Sequence, residues 1–145
     1  MEIFSVREQI AETVSKLFVY TDAQQWDQLQ TEVFAPSVFF DMHSMTGEAG
    51  NSITAKEICD NWQQGFTALD SVNHLSGNYL ITLKDTEADV FCYATATHYK
   101  KAATQGTTRD VVGTYNLHLV QNETGWRIDQ FVYHLKFITG NVALQ

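Results

Sequence analysis

Ala88-Asp-Val-Phe-Cys-Tyr-Ala-Thr-Ala-Thr-His98 reads as a strand with two unlike faces. Side chains alternate across a strand, so Ala88, Val90, Cys92, Ala94, Ala96 and His98 share one side. Phe91, Tyr93, Thr95, Thr97 and Tyr99 share the other. The first set is small and apolar, as expected beneath packed helices or around a cavity, and His98 stands at its end. The strand extends from Ala88 to Lys101. Around it, Leu75–Leu83, Arg109–Gln121 and Trp126–Thr139 are rich in Val, Ile, Thr, Tyr and Phe and read as three more strands. Lys84-Asp-Thr-Glu87 and Asn122-Glu-Thr-Gly125 suit hairpin turns, and residues 102 to 108 make the middle connection.

Upstream, the period changes to that of helices. Ser5-Val-Arg-Glu8 fits a capping box, in which each side chain satisfies a free backbone N–H at the helix start. Ile3, Val6, Ile10, Val14, Leu17 and Phe18 then form one apolar stripe, and Asp22 continues it rather than the wet face. A short second helix is expected from Trp26 to Val33. Pro36 forces extended structure, so Ser37 to Met42 reads as a strand, and Thr46 to Ser52 as an exposed loop. Thr54-Ala-Lys-Glu57 is a second capping box, followed by Ile58, Trp62, Phe66 and Leu69 at helical spacing. Helices followed by an antiparallel meander indicate an α+β domain, and residues 1–145 show no internal boundary. The expected architecture is a cone, with the helices packed on the concave face of a curved antiparallel sheet.

Composition narrows the function. The 145 residues are 44% hydrophobic, enough for one real core, and no stretch approaches the roughly 20 apolar residues of a membrane span. With no signal-peptide pattern, a cytoplasmic protein without a membrane partner is expected. A formal net charge of -8 argues against nucleic acid, which needs a basic patch; Lys100-Lys101 reads as a solvated strand end. Cys59 and Cys92 lack metal or redox spacing and are expected as buried free thiols.

Parity on the Arg109–Gln121 strand puts Thr114 and Asn116 on one side, and His74 opens the preceding long strand with Ser76 and Asn78. One inner surface is therefore expected to gather Asp22, His74, His98, Thr114 and Asn116. Taken singly, each has an ordinary structural role: a helix-end cap, a strand histidine, an amide bonded to backbone. The pairing makes the chemical case. A carboxylate in an apolar pocket is costly unless paired, and an imidazole supplies the partner. The carboxylate then fixes the ring tautomer and leaves the other nitrogen to take a proton. A second histidine and an amide can hold or protonate a departing hydroxyl. No metal is expected, because no two of these residues show ligand spacing, and no cofactor is needed.

Tyr20-Thr-Asp22-Ala-Gln-Gln-Trp26-Asp27, Asn73-His74-Leu75, Thr97-His98-Tyr99, Asn116-Leu-His118 and Gly125-Trp126-Arg127, in this order, resemble the SnoaL-like branch of the nuclear-transport-factor-2-like superfamily, nearest to the scytalone dehydratases. The resemblance implies the cystatin-like cone and a lyase in which Asp22 orients His74 as the base. His98 and Asn116 assist at the substrate hydroxyl, with Thr114 two residues before Asn116. Two tyrosines of those dehydratases fall at Thr21 and Met42 here, with Tyr20 adjacent but about 100° round the helix. The expected substrate is a small apolar or aromatic molecule such as a cyclic hydroxy-ketone, contacted by Tyr20, Met42, Trp62, Phe66 and Thr114. The same dyad also suits a polyketide cyclase or isomerase, and the same fold a non-catalytic ligand- or protein-binding domain. Phe91, Tyr93, Thr95 and Tyr99 on the outer face point to a homo-oligomer, a dimer or a trimer.

Overall fold

The computed structural model describes residues 3 to 145. Helix α1 (Val6–Asp22) starts where the capping box places it: Ser5 Oγ accepts from the Glu8 N–H at 3.1 Å, and Glu8 Oε2 accepts from the Ser5 N–H at 3.1 Å. Its buried face runs Ile10, Thr13, Val14, Leu17, Phe18 and Thr21. Ile3 and Val6, counted in the stripe from spacing, are exposed, because the sheet begins to cover the helix only one turn in. The second helix divides into α2 (Trp26–Gln28) and a π-helical turn over Leu29–Val33. Strand β1 (Phe34–Asp41), helix α3 (His43–Thr46), strand β2 (Asn51–Thr54) and helix α4 (Ala55–Phe66) follow. Four long strands complete the chain: β3 (Ser71–Lys84), β4 (Glu87–Tyr99), β5 (Thr108–Asn122) and β6 (Gly125–Gly140). No helix among the described residues is long and apolar enough to cross a membrane.

The sheet order is β2-β1-β6-β5-β4-β3. β3 to β6 form the expected antiparallel meander, while β1 runs parallel to β6, so the first strand crosses under the helices to join the last. The segment expected as a loop holds the end of α3 and the first two residues of β2. β2 lies antiparallel to β1 at the sheet edge, with Ser37 opposite Thr54, and leads straight into the second capping box. Irregular register between Gly77 and Leu80, Val112 and Gly113, and His118 and Leu119 marks bulges, which bend strands and deepen the sheet's curl. The Asn78 backbone has φ 58, which turns the strand so that Tyr79 and Ile81, not Asn78, pack against the core.

Core packing assigns the faces. On β4, Ala88, Val90, Cys92, Ala94 and Ala96 are all buried beneath α1, as alternation predicted. On β5 the buried set is Val111, Tyr115, Leu117 and Leu119, with Gly113 between them. The inner face of β5 is therefore its odd-numbered side, opposite to the side expected to carry the site. Cys59 and Cys92 are buried free thiols, and burial pushes Cys59 up to about 11 and Cys92 up to about 12, so both stay neutral.

Candidate functional site

Asp22 is the last residue of α1. The C-terminal end of a helix carries partial negative charge, so a carboxylate there needs compensating donors. His74 supplies two. Its backbone N–H donates to Asp22 Oδ2 at 2.7 Å, and its ring Nδ1 lies 2.6 Å from Oδ1. An ionised carboxylate only accepts, so the proton between them sits on Nδ1 and leaves Nε2 with a free lone pair. The pair is well shielded, with side-chain exposures of 11% for His74 and 19% for Asp22. Phe18, one turn before Asp22, stacks on the imidazole with ring centroids 5.3 Å apart.

His98 has the opposite kind of partner. Arg109 Nε–H donates to His98 Nδ1 at 2.9 Å, while Arg109 Nη1 donates to the Val142 carbonyl at 2.8 Å. A guanidinium only donates, so Nδ1 must be bare and Nε2 must carry the hydrogen. Burial, the Arg109 charge and His74 lower the His98 pKa to about 4 against the pull of Asp22, so the ring is neutral at physiological pH. The site thus holds one imidazole fixed as an acceptor and one fixed as a donor.

Both rings line a cavity of about 160 Å³ between the helices and the sheet. A dry cavity of roughly 150 Å³ accommodates a benzene ring. Leu17, Phe18 and Thr21 form the α1 wall, and Trp62 and Phe66 the α4 wall. Ala94, Ala96 and Val111 make a floor of small side chains, with Tyr115, Phe131 and Tyr133 at one end. Met42 and Met45 enter from the α3 segment. Ser44 pins that segment: its Oγ donates to the Tyr133 carbonyl at 2.9 Å and accepts from the Leu135 N–H at 2.8 Å.

The structure brings together Asp22, His74, His98, Met42, Trp62 and Phe66. It separates three other expected residues from them. Asn116 is exposed on the outer face, where its Nδ2 lies 3.2 Å from His134 Nε2 and it lines a surface groove with Leu80, Phe91 and His118. Thr114 shares that outer side of β5, since the alternation that buries Tyr115 turns both neighbours outward. Tyr20 faces away from the cavity and donates to Glu32 Oε1 at 3.2 Å; Thr21, one helical step on, faces inward. The Thr21 hydroxyl is already committed to the Leu17 carbonyl at 2.5 Å, so it offers the cavity no free hydrogen.

Sequence reasoning missed Tyr115, Tyr133, Met45 and Arg109. Tyr115 and Tyr133 are buried, their ring centroids 4.8 Å apart, and Tyr115 sits edge-on to Phe18 at 5.2 Å. Burial raises both phenols, Tyr133 to about 12 and Tyr115 further, so both are protonated donors. A signal was present: Val111, Gly113, Tyr115, Leu117 and Leu119 are the apolar side of β5.

The profile of the SnoaL-like domain family matches residues 3–132. No curated protein matches the chain by sequence. Among solved structures, the Kfla4162 protein of Kribbella flavida superposes with a TM-score of 0.89 at 21% identity, covering 95% of each chain. A candidate scytalone dehydratase from Novosphingobium aromaticivorans is similar at TM-score 0.77 and 15% identity, over 90% of this chain and 84% of that one. The hexachlorocyclohexane dehydrochlorinase LinA-type3 of Novosphingobium barchaimii follows at TM-score 0.74 and 10% identity, over 92% and 88%.

Proposed function

The chain belongs to the SnoaL-like domain family, and we propose that it is a cofactor-independent lyase that eliminates water from a small cyclic hydroxy-ketone or a related apolar substrate. The observation that carries this reading is the Asp22–His74 pair, 2.6 Å apart, with the His74 ring in the wall of an apolar cavity. His74 Nε2 removes the proton beside the carbonyl. Asp22 stabilises the imidazolium that forms, as such carboxylates do without taking the proton themselves. His98 offers its Nε2–H to the departing oxygen. Being neutral and flanked by Arg109, His98 has no spare proton to give. The proton that completes water therefore returns from His74, and the hydrogen and the hydroxyl leave from the same face of the substrate. The dehydratase and dehydrochlorinase names among structures of this fold are consistent with elimination.

The test is a screen of cyclic β-hydroxy-ketones with the wild type, Asp22→Asn and His74→Ala. Loss of the base should lower kcat by about 10²–10⁴-fold. Equal turnover by all three proteins removes the dyad from the mechanism. Product mass separates the chemistries: elimination lowers it by one water, whereas isomerisation by the same dyad leaves it unchanged.

A further inference from the structure

Tyr115 and Tyr133 are 7% and 3% exposed, and both line the cavity. Neither hydroxyl has a hydrogen-bond partner among the described residues. Neither is sealed in: the only fully buried polar side-chain atom without a partner among those residues is Trp126 Nε1. A buried hydroxyl left unmatched is unfavourable, so two side by side in one cavity wall mark a place that a ligand oxygen completes.

The backbone is shaped to admit one of them. A Cβ on Gly113 would stand 2.3 Å from Tyr133 Oη, so the phenol occupies space that any other residue at 113 would fill. Burial keeps both phenols protonated, as donors. Phe18 ties this end of the cavity to the base, with its ring 5.3 Å from His74 on one side and 5.2 Å from Tyr115 on the other. The lining contains no Lys or Arg, so a carboxylate or phosphate would lose its hydration without gaining a cation.

We propose that the Tyr115 and Tyr133 hydroxyls form a two-donor seat for a carbonyl oxygen that becomes an oxyanion, and that the substrate is a neutral, single-ring ketone. The inference rests on the lyase reading for its direction: the seat serves the oxygen that gains charge when His74 takes the proton. The C–H electron pair becomes the enolate double bond, and the carbonyl π pair moves to the oxygen between the tyrosines. When the carbonyl re-forms, the β-carbon–oxygen bond breaks with its electron pair. The departing hydroxyl collects the proton from His74, giving the enone and water. Fixed donors aimed where charge develops need no reorganisation as it appears.

4-Nitrophenol tests the seat without turnover, because it is a single ring whose anion is coloured. At a pH below its own pKa, the wild type should bind it and raise the phenolate absorbance. Tyr115→Phe and Tyr133→Phe keep the rings and remove only the hydroxyls; each should weaken phenolate binding by about tenfold or more, with far-ultraviolet circular dichroism and the cooperative thermal unfolding transition retained. Phenyl phosphate, with the same ring and a fixed charge, should not compete. Equal affinity in all three proteins, or no binding by the wild type, overturns the seat, and tighter binding of phenyl phosphate overturns the neutral substrate. Tyrosine-dependent phenolate binding with no turnover of any hydroxy-ketone leaves the seat standing and sinks the lyase reading instead.

Discussion

Replacing Arg109 with Gln should convert His98 from a fixed donor into an ordinary titrating histidine. In the native protein the guanidinium Nε lies 2.9 Å from His98 Nδ1, and the pKa falls from 6.5 to about 4. Two like charges about 4 Å apart at an effective dielectric of about 20 repel by about 4 kcal/mol, more than the whole fall. Burial is nonetheless the larger cause, and solvent at the cavity screens the pair, so Arg109 contributes less to the fall than burial does. Arg109→Gln is therefore expected to raise the His98 pKa but leave it below 6.5, and Arg109→Lys, which keeps the charge, to raise it less. Nitrogen-15 chemical shifts of the imidazole read both quantities: in the wild type Nδ1 should be bare and Nε2 protonated down to about pH 4. On substrate, kcat/KM of Arg109→Gln should fall on the acid side, where an imidazolium replaces the neutral donor, and change little near pH 8. A wild-type His98 with its proton on Nδ1, or the same pKa with and without the guanidinium, would refute the reasoning.

His98 should also limit stability in acid, and the convex face should govern assembly. Between pH 6.5 and about 4 the unfolded chain takes up a proton at His98 that the folded chain refuses, so stability is full above pH 6.5 and is lost as pH falls toward 4. The full shift corresponds to about 3 kcal/mol and partial solvent contact reduces it to about 2 kcal/mol; urea unfolding at pH 7 and pH 4.5 should show His98→Asn losing less over that interval than the wild type. On the convex face, Leu80 is 68% exposed and Phe137 55%, with Tyr93 and Leu75 also open to solvent. Sedimentation should give a mass above the 16.4 kDa of one chain, and Leu80→Asp with Tyr93→Asp should return it to the monomer; a monomeric wild type removes the oligomer.

The parts of the fold carried by local rules were legible. Ser5 and Glu8, and Thr54 and Glu57, set two helix starts because a capping box needs only residues three apart. The β4 faces followed from alternation, and Asp22 stood out because it continues the apolar stripe of α1; the structure sets it beside His74, 52 positions further on. β5 went astray for an instructive reason. Parity groups Thr114 with Asn116, and their hydrogen-bonding groups suggest that side as the inner one, although Asp110, Thr114, Asn116 and His118 together make the polar side of that strand. A strand covered on one face buries its apolar side, and Tyr115 belongs to it. Arg109 was hidden differently: its role depends on a cross-strand register, His98 opposite Arg109, that no local spacing encodes. β2 was missed because an edge strand of four residues with a single apolar side chain, Ile53, has no hydrophobic alternation to betray it.

The chemistry of this cavity is set one layer behind its lining. His74 and His98 are the same side chain on neighbouring strands, open to the same space, and their intrinsic acidities are equal. What gives them opposite tautomers is a carboxylate behind one and a guanidinium behind the other. Exchanging those partners would leave every lining residue in place and reverse base and donor. Tyr133 obeys the same logic, since its phenol is seated by the absence of a side chain at Gly113. On the proposed elimination, a chain could thus keep all the aromatic and aliphatic walls of this cavity and still lose activity through a change at Asp22, Arg109 or Gly113. On that proposal, matching the lining alone is a poor guide to activity, and these three positions are the ones to compare.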